Sequence, residues 1–305
     1  MDNFTFQPHA TPLDVKGRIC VTPPYFALTE LCSDTPGEAT AFVPVEASPG
    51  RQASDINITE VGRHLAILGL CAASSLNESP GRHYYLARSA RGEWLAPYQE
   101  QANHPNVGFQ GWARASFENR CQATARTRLT RDDGIPIAQM QVDYQVMSQS
   151  AFAHFFGQPQ ALPLGAPYPN PYGQPPPLKG VKVHEGGASA ELDVTPMLCP
   201  GHFDGYPALP VAFTSTAMTT LIDHFVARGD EAARWLPVYS ELEAEQLPWA
   251  GKRLTITATP ATGKTTDSAI LCVAQIDGNP ITTMAIDILT VTSGATPSAP
   301  SCPTQ

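Results

Sequence analysis

Two stretches of this chain, 144 residues apart, carry the same eleven-residue pattern. The first runs Asp133-Gly134-Ile135-Pro136-Ile137-Ala138-Gln139-Met140-Gln141-Val142-Asp143, the second Asp277-Gly278-Asn279-Pro280-Ile281-Thr282-Thr283-Met284-Ala285-Ile286-Asp287. Six of the eleven positions are identical without a gap, and Val142/Ile286 is a conservative seventh. Asp-Gly is a hairpin-turn signal because glycine accepts φ > 0. The residues after the first turn alternate as a strand does, with Ala138, Met140, Val142, Tyr144 and Val146 on one face and Gln139, Gln141, Asp143 and Gln145 on the other. An offset close to half of the 305 residues points to a duplicated architecture.

The surroundings of the two copies match in order. Each turn is preceded by an alternating strand (121–130 and 268–276), then by another (111–116 and 253–259), and earlier by a third (83–88 and 238–245). Each series opens with one helix. Over 58–75, Ile58, Val61, Leu65, Leu68 and Ala72 form a stripe at helical spacing, and Asn57 with Glu60 forms a capping box. Gly62, Ala66, Gly69 and Ala73 are small, which suits a helix wrapped closely by a sheet. Over 211–227 the stripe is Thr214, Met218, Leu221, Ile222 and Phe225, with Gly229 as the stop. Each half thus reads as strand, helix, four antiparallel strands, an α+β arrangement. The expected organisation is an N-terminal repeat over 1–156, a crossover over 157–180 holding eight prolines in 24 residues, a C-terminal repeat over 181–293, and a disordered tail over 294–305.

Charge narrows the function classes. The net charge is −9 and no Lys/Arg cluster occurs, which disfavours a nucleic-acid partner. The N-terminus has no signal-peptide pattern, and no run is long and apolar enough to span a bilayer. Seven scattered cysteines without a CxxC suit reduced thiols in a cytoplasmic setting. Cys199 and His202 lack a second ligand pair, so no metal is expected.

The segment Gly201-His202-Phe203-Asp204-Gly205-Tyr206-Pro207-Ala208-Leu209-Pro210 reads G-H-F-x-G-x-P-x-x-P and runs straight into the second helix. With the duplicated helix-and-sheet pattern, it resembles the FabA/FabZ-type 3-hydroxyacyl-thioester dehydratases and implies a double hot-dog fold. The fold resemblance spans most of the chain and the motif about ten residues. It implies a substrate carried on the phosphopantetheine of acyl carrier protein or CoA, with no further cofactor. It implies His202 as base, since imidazole takes a weakly acidic proton near neutral pH. It implies Gly201, Phe203, Gly205, Ala208 and Val211 as the substrate-binding surround, with helix-end N–H groups holding the carbonyl oxygen.

Three positions depart from that pattern. The acid position fourteen residues after His202 is Thr216, which is no comparable acid. Val211 stands where a glycine is usual. The first half has Ser48-Pro49-Gly50-Arg51-Gln52 in place of the motif loop. One composite site is therefore expected, with His202 facing the first helix, where rough alignment puts His64 at the acid position and Glu60 one turn earlier. The leading activity is dehydration or hydration of a 3-hydroxyacyl/enoyl thioester. Hydrolysis or acyl transfer at the same site is the alternative, and a non-catalytic carrier-binding module the third. Arg114, Arg120, Arg126 and Arg128 are candidates for docking an acidic carrier or CoA phosphates. A homodimer is compatible with all three.

Overall fold

The computed structural model describes residues 11–96, 108–158, 169–228, 230–261 and 269–291. The first half contributes β1 (Thr29–Cys32), β2 (Glu38–Val43), α1 (Ile58–Leu76), β3 (His83–Trp94), β4 (Phe109–Asn119), β5 (Gln122–Arg131), β6 (Pro136–Ser148) and α2 (Gln149–Phe156). The second contributes β7 (Lys179–His184), β8 (Gly187–Asp193), α3 (Val211–Ala227), β9 (Arg234–Ala244), β10 (Arg253–Pro260), β11 (Ala269–Ile276) and β12 (Asn279–Val291).

All strands join one twelve-stranded antiparallel sheet in the order β1-β2-β4-β5-β6-β3-β9-β12-β11-β10-β8-β7. Each half of that order is the mirror of the other, and β3 and β9 meet at the seam. The repeat therefore describes the sheet, with one addition: two strands precede each long helix, not one. β2 and β8 are short and alternate small residues inward (Ala39, Ala41, Val43; Ala188, Ala190, Leu192), a pattern too brief to stand out in sequence. The helix α2 also goes beyond the sequence expectation. Its eight residues bury one side chain, Phe152, and Ser148 caps it by accepting from the Ala151 N–H at 3.2 Å.

Both long helices lie where their stripes put them. Val61, Leu65, Leu68 and Ala72 of α1 are buried, and so are Thr214, Met218, Leu221, Ile222 and Phe225 of α3. Close approach to the sheet requires Gly69. A Cβ there would sit 2.5 Å from the Tyr144 hydroxyl and 2.8 Å from Ala125 Cβ. The vacancy lets Tyr144 donate to the Ala66 carbonyl at 2.7 Å, which locks α1 to β6. Gly62 has no atom within 4 Å of its added Cβ and opens space instead.

Gly229, residues 159–168 of the crossover, and the tail over 294–305 lie outside the described residues. No helix of the described residues is long and apolar enough to cross a membrane.

Candidate active site

The loop entering α3 is built to hold one imidazole. β8 ends in a 3-10 turn (Pro196–Leu198), and the His202 N–H closes onto the Cys199 carbonyl at 3.2 Å. Gly201 has φ +75°, and a Cβ there would lie 2.2 Å from the Thr22 carbonyl oxygen, so only glycine lets the loop settle on the first half. Its own carbonyl accepts from the Thr22 N–H at 2.8 Å. Gly205 also has positive φ, +77°. The Leu209 N–H donates to Pro248 and the Ala250 N–H to Pro207, both at 2.8 Å, which ties the loop to the segment after β9.

The His202 ring stacks on Phe203 (centroids 3.9 Å, 23° between planes) and meets the edge of Tyr25 at 5.0 Å. Nδ1 lies 2.9 Å from the Ala208 carbonyl oxygen. A carbonyl can only accept, so Nδ1 carries the proton and Nε2 keeps its lone pair. Burial pushes the imidazolium down to about 4, opposed by the Ala208 hydrogen bond. His202 is therefore neutral at pH 7, with Nε2 unpartnered among the described residues.

The two helix N-termini differ. At α1, Gln52 Oε1 accepts from the Ile58 N–H at 2.8 Å and Asn57 Oδ1 from the Thr59 N–H at 2.9 Å. At α3 the cap is Pro210, which offers no side-chain acceptor. The Val211 and Ala212 N–H groups have no acceptor among the described residues. These are the orphan donors of a helix start, at the positive end of its dipole. Both residues line the same cavity as His202.

That cavity encloses about 790 Å³ between α1, the start of α3, and strands β3, β6, β9 and β12. Its walls are largely apolar, with Leu86, Val142, Leu209, Leu242, Met284 and Ile286 among them. Exposed Arg88, Glu245, Lys252 and Asp277 mark its mouth. A largely apolar cleft with a few convergent polar groups is the form of a small-molecule site.

The expected binding residues divide by role. Phe203 and Val211 line the cavity. Gly201, Gly205 and Ala208 do not; they shape the loop, and Ala208 supplies the carbonyl that orients His202. Of the expected partners for His202, neither His64 nor Glu60 lines the cavity, and no hydrogen bond joins either to His202. The capping box is also absent. The Glu60 carboxylate accepts instead from the Glu46 N–H at 2.5 Å and the Ala47 N–H at 3.3 Å.

The charged first-helix residue that does reach the cavity is Arg63. Matching the helix caps, Asn57 with Pro210, makes Arg63 the counterpart of Thr216, one residue away from the position that rough alignment gives. One residue rotates a helix position by about 100°, enough to turn His64 away from the cavity. Arg63 is 3% exposed and rigidly held. Nη2 pairs with Glu46, approaches Glu60 Oε1 at 3.9 Å and donates to His64 Nε2 at 3.1 Å, while the guanidinium lies 5.2 Å from the Tyr172 ring centroid. Since arginine can only donate, His64 accepts at Nε2 and is neutral; burial lowers its pKa against the pull of Glu60 and Glu46. Glu46, Glu60 and His64 place three metal-ligating atoms within 4.8 Å of one another. The guanidinium already supplies the cation those donors would attract.

Sequence reasoning missed the crossover's part in this arrangement. Asn170 Nδ2 donates to Glu46 Oε1 at 2.8 Å, and the Tyr172 hydroxyl to the Pro200 carbonyl at 2.8 Å. Tyr172 also meets Tyr25 edge-on at 5.1 Å. Crossover, His202 loop and Arg63 form one packed unit. Arg63 was discoverable: Thr59, Gly62, Arg63, Ala66 and Leu70 form a second helical stripe beside the apolar one, and they line the cavity.

Arg126 and Arg128 project from the exposed face of β5, with Ala123, Ala125 and Leu129 on the buried face. Arg114 stands opposite Arg126 in the ladder and pairs with Glu38 at 3.7 Å.

No protein-family model matches the chain, and no curated protein matches it by sequence. Solved structures do match in shape. An oleoyl thioesterase from Lactobacillus plantarum aligns with TM-score 0.55 at 11% identity, covering 85% of this chain and 98% of that one. An acyl-ACP thioesterase from Bacteroides thetaiotaomicron VPI-5482 aligns with TM-score 0.52 at 12% identity, covering 83% and 98%. A 12:0-ACP thioesterase from Umbellularia californica aligns with TM-score 0.51 at 10% identity, covering 83% and 94%. At such identities the likeness establishes the fold: this chain has the hot-dog architecture of those proteins, a long helix wrapped by antiparallel sheet.

Proposed function

We propose that this chain is a double hot-dog hydrolase of acyl thioesters borne on CoA or acyl carrier protein. One observation carries the reading. A neutral imidazole with a free Nε2 shares an apolar cavity with two unsatisfied N–H groups at the start of a 17-residue helix. Water held by Nε2 attacks the thioester carbonyl, and its proton passes to His202. The oxyanion formed is stabilised by the Val211 and Ala212 N–H groups. Collapse breaks the C–S bond, and the imidazolium returns its proton to the departing thiolate. Atoms balance as thioester plus water giving carboxylic acid plus thiol, and the scheme calls on no cofactor. The names of the structural neighbours, thioesterases for acyl-ACP among them, support the substrate class.

Dehydration of a 3-hydroxyacyl thioester is the second reading, favoured by the motif around His202. It needs a proton donor for the leaving hydroxyl. The counterpart position on α1 holds Arg63, whose guanidinium does not give up a proton in the working range. Hydrolysis needs no such acid, and for that reason it ranks first.

The test is thiol release from a panel of acyl-CoA and acyl-carrier substrates, run beside absorbance at the enoyl-thioester band. Thiol release that His202→Ala abolishes supports hydrolysis. Enoyl formation without thiol release transfers the site to dehydration. Neither, across the panel, overturns both and leaves a binding module.

A further inference from the structure

Of the side chains lining the inner cavity, Arg63 is out of keeping with an unsubstituted acyl chain. It is the charged member of the α1 stripe Thr59, Gly62, Arg63, Ala66, Leu70, and it is almost wholly buried. A guanidinium keeps five N–H donors. Nη2 is committed to Glu46 and His64; Nη1 makes no hydrogen bond among the described residues. Against a plain methylene chain those donors stay unsatisfied, which is costly in a buried site.

Its position along the chain comes from the helix pair. Thr59 Oγ1 lies 2.9 Å from Thr216 Oγ1, where α1 and α3 cross. The cap-matched equivalence maps Thr59 onto Ala212 and Thr216 onto Arg63. The same pseudo-twofold relation therefore sets Arg63 beside Ala212, whose N–H is one of the two proposed carbonyl donors. Arg63 thus faces the acyl chain close to the thioester end, not at the far terminus.

The charge balance selects the kind of group. Glu46 and Glu60 already outnumber the one guanidinium, with His64 neutral. A further carboxylate would bring a third negative charge into this cluster. A neutral oxygen accepts from Nη1 without that penalty.

We infer that Arg63 is a specificity-determining residue that selects acyl thioesters bearing a neutral hydroxyl or keto oxygen near the thioester carbonyl. The inference rests on the acyl-thioester reading of the cavity and adds the substituent on the chain. The rigid mounting of Arg63 by Glu46, Glu60 and Tyr172 preorganises the donor, so the discrimination should be large. A hydrogen bond to a charged group that would otherwise stay unpaired is worth about tenfold to a hundredfold in affinity.

The experiment measures binding, independent of turnover. Three non-hydrolysable thioethers, S-octyl-CoA, S-(3-hydroxyoctyl)-CoA and S-(3-carboxyoctyl)-CoA, are titrated into the full chain by calorimetry. The expected order is hydroxy tighter than octyl by about tenfold or more, with the carboxylate weakest. In Arg63→Lys, which keeps the charge opposite Glu46 and Glu60 but loses the planar fork, the ratio of hydroxy to octyl affinity should fall to within about twofold. Equal binding of octyl and hydroxy analogues by the unaltered chain overturns the inference alone, whatever the fate of the variant. So does tightest binding of the carboxylate, or an equal loss for all three in Arg63→Lys. Binding of none overturns it together with the thioester reading.

Discussion

Arg91 and Glu241 face each other across the seam between β3 and β9, Nε to Oε1 at 3.4 Å. They are also equivalent residues. Val142 and Ile286 correspond in the repeat, and their ladder partners are Ala90 and Ser240, one residue before Arg91 and one before Glu241. The local pseudo-twofold axis therefore passes between this pair. In two identical units the axial residue would meet its own copy, Arg against Arg or Glu against Glu. Fusion into one chain lets the two copies carry opposite charge. Both side chains are exposed, so the energy is small. Arg91→Glu should cost about 0.5–1 kcal/mol and Glu241→Arg the same, with the double swap recovering most of it. Urea unfolding of the four proteins reads the coupling; additive losses would remove the axial interaction.

His202→Ala should lower turnover by about 10²–10⁴-fold while leaving the fold intact, since the ring's polar tie is one hydrogen bond to Ala208. Thiol release and thermal melting, measured together, separate loss of the base from loss of the structure. An unchanged rate removes His202 from the reaction.

Val211→Pro tests the carbonyl donors. Proline is favoured at the first helical position, and the preceding residue, Pro210, already has extended ψ of 141°. The change deletes one N–H without breaking a helix bond. The expected result is a loss of about 10²–10³ in kcat with the melting temperature held or raised. Full activity would place the oxyanion elsewhere.

The pH response is set by the lowered His202 pKa. The imidazole is in its base form above about pH 4, so the acid limb of kcat/KM should lie near 4, well below the usual 6.5. Stability moves in the same window. The unfolded chain takes up this proton more readily than the folded one, so the contribution is complete above about 6.5 and is lost as pH falls toward about 4, roughly 3 kcal/mol in all. His64 shifts in the same direction. His202→Gln should therefore shrink, without abolishing, the difference between urea midpoints at pH 7 and pH 4.5. An undiminished difference would assign the effect to His64 and the carboxylates.

Gly201→Ala should destabilise the loop and cut activity together. The new methyl would meet the Thr22 carbonyl at 2.2 Å from a backbone conformation that disfavours any Cβ. A loss of about 1–3 kcal/mol in melting experiments, with a fall in turnover, is the expected pair. Neutral behaviour would mean the contact with Thr22 does not hold His202 in place.

What the sequence determined is periodic and local. The eleven-residue repeat, the two helical stripes and the strand alternation place both long helices and the four strands after each, because periodicity of 3.6 or 2 reports directly which faces are buried. The loop around His202 was legible for a related reason: a histidine among glycines and prolines at fixed spacing, before a helix, is a backbone shape written in residue types. What the tertiary structure alone decided is which side chains meet. A one-residue difference in helix alignment exchanged His64 for Arg63 at the cavity wall, and sequence spacing does not resolve a rotation of about 100° between helices from different halves. The union of Asn170 and Tyr172 with Glu46, Arg63 and Pro200 joins three separate segments of the chain, and no local pattern encodes that contact. The closure of α1 by Gln52 beside the open end of α3 is likewise a matter of where a loop comes to rest. It depends on packing across the seam, which seats Gln52 and Asn57 on the first N–H groups of α1 and leaves those of α3 without a side-chain cap.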